Sequence, residues 1–79
     1  MTSVKIRLSA IDDIRRFVNT VSKYYSLDAT LKSDRYMVCA KSLLGIFTLD
    51  LMKPIELIIK GENYEPLLNE VSRYIVCEQ

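Results

Sequence analysis

Ser42 stands between Lys41 and the apolar run Leu43-Leu44-Gly45-Ile46-Phe47. A serine just ahead of such a run is placed to cap a helix, because its hydroxyl can accept from an N–H that the first turn leaves unpaired. The other side chains with chemical potential are scattered. The chain contains no histidine, which removes the conventional nucleophile–base triad and any imidazole metal ligand. Cys39 and Cys77 have no metal-ligand spacing, and two free thiols in a cytoplasmic protein are expected rather than a lone disulfide. Carboxylates occur, but none is paired within an apolar segment, and glycine-rich phosphate loops are absent. Arg15-Arg16 reads as a solvated helix face rather than an anion site. Tyr24, Tyr25 and Tyr36 read as packing or rim residues. These residue types predict a binding protein: no enzyme, no metal and no cofactor.

The elements that would hold Ser42 follow from periodicity. From Ser3 to Leu8, Val4, Ile6 and Leu8 alternate with Lys5 and Arg7, the pattern of a strand with one buried face. Ser9 is expected to cap a first helix, with Asp12 favouring its positive end. Ile11, Ile14, Phe17, Val18, Val21 and Tyr25 recur at three- and four-residue steps, predicting one apolar stripe on a helix from about Ala10 to Tyr24. Leu27, Ala29 and Leu31 alternate with Asp28, Thr30 and Lys32 in a second strand. Ser33-Asp34 reads as a polar turn into a third strand from Arg35 to Ala40, and the two strands form a hairpin. Ser42 caps a short helix from Leu43 to about Leu49, and Met52-Lys53-Pro54 breaks it. The β-branched run Ile55 to Lys60 is a fourth strand, ended by Gly61. A last helix runs from near Asn63 towards Val76, with Pro66 in its first turn and Leu67, Leu68, Val71, Tyr74 and Ile75 buried.

The order βαββαβα predicts an α+β fold, a four-stranded antiparallel sheet with three helices on one face. At 79 residues, the chain is expected to be a single domain over 1–79 with one core and marginal stability. A formal net charge of +1 gives no strong field, so nucleic acid is not an expected partner. No apolar run approaches the roughly 20 residues of a membrane span, and the N-terminal residues lack an apolar signal core. Membrane insertion is not expected. If Ile55, Leu57 and Ile59 face the helices, Ile58 faces away with Met37 and Cys39, on a side of the sheet that nothing obviously covers.

The stretch Ala40-Lys41-Ser42-Leu43-Leu44-Gly45-Ile46-Phe47-Thr48-Leu49 resembles the central segment of the HPr family, the small bacterial phosphocarriers of the sugar phosphotransferase system. The resemblance covers nearly the whole chain; it is strongest from Ala40 to Leu51 and extends to Phe17-Val18. It implies an HPr-like open-faced β-sandwich. The family's first active segment reads roughly Leu-His-Ala-Arg-Pro-Ala where the first helix begins. Matching back from Phe17-Val18 sets the histidine at Ala10, the arginine at Asp12 and the proline at Asp13, and none agrees. A phosphoimidazole at a helix N-terminus needs its nucleophile and a cation. Ala10 offers no nucleophile, and Asp12 and Asp13 would repel the phosphoryl group.

The second segment is retained. By the resemblance, Ser42 matches the serine that a dedicated kinase phosphorylates in many Gram-positive bacteria. Such a mark would set about −1.5 to −2 charges at the positive end of a helix. The resemblance also implies that Lys41, Leu44 and Phe47 contact a protein partner. The expected function is therefore regulatory or adaptor work without histidine phosphocarrier activity, as a monomer or weak homodimer. The alternative is an oligomerisation module that uses the open sheet face at Met37, Cys39 and Ile58.

Overall fold

The computed structural model describes residues 2–34, 36–49 and 51–76. Strand β1 (Thr2–Ile6), helix α1 (Ile11–Ser22), the hairpin β2 (Asp28–Ser33) and β3 (Tyr36–Cys39), helix α2 (Leu43–Ile46), strand β4 (Ile55–Lys60) and helix α3 (Glu65–Glu70) follow one another. The four strands form one antiparallel sheet in the order β1-β4-β2-β3. This is the predicted α+β, HPr-like architecture, with helices over one face.

The two-residue alternation of the strands decides which face they cover. Ala29, Leu31, Ile55, Leu57 and Ile59 are buried beneath the helices. From above, Ile14, Phe17 and Val21 of α1, Ile46 of α2 and Leu67 of α3 close the same core. Phe17 meets Tyr74 edge-on, with ring centroids 6.0 Å apart and planes at 81°, a geometry that suits the ring quadrupoles. On the other face, the register lines up Ser3–Ile58–Thr30–Cys39 in one row and Lys5–Glu56–Lys32–Met37 in the next. That second row alternates charge, so the open face is mixed rather than an apolar patch.

The departures from expectation lie at element ends. Ser9 is not the cap of α1. Ala10 occupies the N-cap position with no side-chain cap bond, and the Ser9 hydroxyl donates to Asp13 at 3.4 Å instead. Ile11 and Tyr25 leave the apolar stripe, being 63% and 92% exposed. Ile11 is the first helical residue, and Tyr25 lies beyond the last turn, so neither is held over the sheet. The last helix is much shorter than Asn63 to Val76. Asn63 takes a left-handed φ of 59°, which asparagine tolerates. After Glu70 the chain tightens into a 3₁₀ turn, Ser72–Tyr74, and Ile75 is extended. It bridges to Ile6, while Arg7 N–H donates to Tyr74 C=O at 2.8 Å and Val76 N–H to Lys5 C=O at 2.9 Å. Pairing with the outer edge of β1 overrides the helical spacing. Arg35, where the third strand was expected to begin, lies outside the described residues, as does Cys77. No described helix is long and apolar enough to cross a membrane.

Candidate functional site

Ser42 holds the start of α2. Its backbone is extended, and its hydroxyl accepts the Gly45 N–H at 3.1 Å, the predicted cap. Gly45 packs tightly: a Cβ there would come within 3.1 Å of Ser42 Oγ and 3.3 Å of Val38 Cβ, so a larger residue would have to displace its neighbours by a few tenths of an ångström. The helix therefore lies close on β3, and the spacing Ser42-x-x-Gly45 is a packing unit as well as a cap. At the far end, the Thr48 hydroxyl donates to Gly45 C=O at 2.6 Å. The Ser42 residue itself is exposed.

Anchoring one side of α2 through Ile46, fully buried, turns the other side to solvent. Leu44 is 80% exposed and Phe47 44% exposed. Leu43 is half-buried. Of these, Phe47 stands beside the N-terminus of α1. Ala10, Ile11, Phe47, Leu51 and Met52 line one cleft, so the position that matches the family histidine and the expected partner contact Phe47 are brought together. Arg7 fixes the rim by donating from its guanidinium to Met52 C=O at 3.0 Å.

Lys41 is placed differently from the other predicted contacts. Its ammonium is half-buried and donates to the carbonyls of Tyr24 and Leu27, each at 3.2 Å. It ties the segment before α2 to the turn between α1 and β2. Arg15 and Arg16 are exposed and line a separate groove with Asp12, Asn19 and Leu43.

Two features escaped sequence reading. Ile11 and Met52 join the exposed apolar surface beside Phe47; Ile11 fits the buried stripe by spacing, and Met52 marks only a chain break. The second is a polar cluster between the chain just after α1 and the end of α3. The Tyr24 hydroxyl and the Lys23 ammonium, the latter at 2.9 Å, both donate to the Glu70 carboxylate. These bonds favour ionised Glu70, the Tyr24 one most, and lower its pKa. The same hydrogen bond, with burial and the carboxylate's charge adding to it, raises the pKa of Tyr24. Among the described residues no group of three histidine, cysteine or acidic side chains is gathered to hold a metal ion.

No family model matches the chain, and no curated protein matches it. Among solved structures, the fold is similar to the crystal structure of HPr-C-His from Thermoanaerobacter tengcongensis, with a TM-score of 0.71 and 26% sequence identity over 91% of this chain and 85% of that one. The chain thus has an HPr-like fold, and the likeness is to a phosphocarrier family related to the phosphotransferase system.

Proposed function

We propose that this HPr-like protein is a regulatory or adaptor protein that binds a protein partner through the Ser42–Phe47 segment and carries no phosphate on histidine. The observation that carries this reading is the exposure of Leu44 and of Phe47, the latter in one cleft with Ala10. A two-sided helix with one face spent on the core presents large apolar side chains, Phe47 next to the N-terminus of α1, and Ala10 there has no atom that accepts a phosphoryl group. Exposed aromatic and aliphatic residues grouped in this way serve as anchors for another surface. Ser42 is solvent-exposed at the start of α2, where a phosphate's negative charge would be tolerated. In this reading the protein is not an enzyme and uses no cofactor.

The test pairs chemistry with binding. Supplied with phosphoenolpyruvate and the general enzyme of the phosphotransferase system, the protein should gain no acid-labile phosphate. Partner capture by the unmodified protein and by Ser42→Asp should differ in strength, and Phe47→Ala should lower both. Acid-labile phosphate on the protein would end this reading.

A second reading, self-association through the open sheet face, draws on Met37, which is 61% exposed, and on Ile58 and Cys39 in the neighbouring row. A charge at Ile58 should dissolve such an assembly while changes at Leu44 leave it intact, as read by ultracentrifugation.

A further inference from the structure

The two edges of the sheet are finished in different ways. The edge at β1 is closed by the chain itself, through the bonds of Tyr74 and Val76 to Arg7 and Lys5. The edge at β3 has no such cover: β2 is its one strand neighbour among the described residues. Edge strands are ordinarily blunted with lysine, proline or a bulge. Tyr36-Met37-Val38-Cys39 has neither residue, and it pairs with β2 without a bulge. Tyr36 and Met37 are 65% and 61% exposed.

The hydrogen-bond phase shows what this edge offers. Ala40 N–H donates to Ala29 C=O at 2.9 Å. In an antiparallel pair, bonded and non-bonded positions alternate. Val38 and Tyr36 therefore turn their backbone groups towards β2, and Met37 and Cys39 turn theirs outward. The Cys39 carbonyl is taken by Ser42 N–H at 3.0 Å. Among the described residues, Met37 is left presenting both a donor and an acceptor to the free edge.

We propose that β3 is a self-pairing edge, which joins two copies of this chain into one continuous sheet about a two-fold axis through Met37. The occupant is a second copy because the edge is its own complement. Under the two-fold, each Met37 N–H meets the other Met37 carbonyl, and Tyr36 of one copy lies opposite Val38 of the other on the same side of the sheet. No charged side chain of β3 is set against another. The row Lys5–Glu56–Lys32–Met37 continues through the two methionines into its mirror order, keeping the lysines apart. Four-residue edges bury far less than the about 1,200 Å² of a stable interface, so the dimer is weak and depends on concentration. This surface is distinct from the Leu44–Phe47 docking site and does not depend on it.

Sedimentation equilibrium of the full chain up to about 1 mM, the range of a weak contact, tests this. The weight-average mass of the wild type should rise towards twice the monomer value, and exchange of the Met37 amide should slow with concentration. Met37→Pro removes the outward N–H without touching a bond to β2, and should return the mass to the monomer value. Met37→Lys keeps the N–H but sets like charges together, and should do the same; it carries the test if the proline variant fails to fold by circular dichroism. A wild type that stays monomeric throughout overturns the proposal. So does an association that survives both Met37 variants, or one that Ile58→Glu also dissolves, which would locate it on the open face.

Discussion

Ser42 carries two consequences that separate at the level of one side chain. Its hydroxyl accepts one N–H of α2, so Ser42→Ala should cost about 1 kcal/mol of stability. Ser42→Asp should restore most of that, since a carboxylate also caps and suits the helix dipole. Urea denaturation of the three proteins measures both steps. Phe17 is fully buried at the centre of α1, and Phe17→Ala should cost about 3–5 kcal/mol, much of what a domain this small has. A midpoint close to wild type would contradict the packing described. Glu70 and Tyr24 predict a pH dependence. The folded pKa of Glu70 is lowered, so its contribution is present above the ordinary glutamate pKa and fades as pH falls through the lowered value. The folded pKa of Tyr24 is raised, so its contribution is present below about 10, the ordinary tyrosine value, and fades as pH rises through the raised one. Tyr24→Phe should flatten the alkaline limb of a stability–pH curve. Both groups are solvent-accessible, which keeps these effects small.

At the scale of elements, the start of α2 was legible from the cap at Ser42, but its length was not: the helix ends at Ile46 rather than near Leu49, and Thr48 and Leu49 continue only in three-residue turns. Its outer face is also where binding is expected. Phe47→Ala should weaken partner affinity by about 2 kcal/mol if Phe47 is an anchor, with far less loss of fold stability than Phe17→Ala. Titration calorimetry beside denaturation separates the two. A stability loss equal to that of Phe17→Ala would make Phe47 a core residue. The last helix was misread for a physical reason. Leu67, Val71 and Tyr74 keep a helical spacing, but the pairing partner that pulls Ile75 into extended form is Ile6, far away in sequence. Local periodicity has no access to that contact. The Tyr24–Glu70 bond was hidden for the same reason: its partners are 46 residues apart.

Across the whole molecule, strand alternation determines the sheet and the side its helices cover, so the architecture could be read from spacing. The candidate site could be read only in part. Ala10 and Phe47 are far apart along the chain and meet only because α1 and α2 share one face of the sheet. The composition of the cleft leads to a prediction for the entire fold. Restoring a nucleophile by Ala10→His should give at most a poor phosphate acceptor from the general enzyme, because Asp12 and Asp13 occupy the first turn of α1 where the phosphoryl charge would lie. Efficient labelling of that variant, measured as acid-labile phosphate, would show that the two carboxylates do not set the electrostatics.

The bonds from Tyr74 and Val76 to β1 also impose an order in time. β4 pairs with one side of β1, but the other side is closed only when the stretch 61–76 has folded back onto it. Until it does, the outer edge of β1 is an unpaired strand edge, open to another strand that reaches it before the chain closes it.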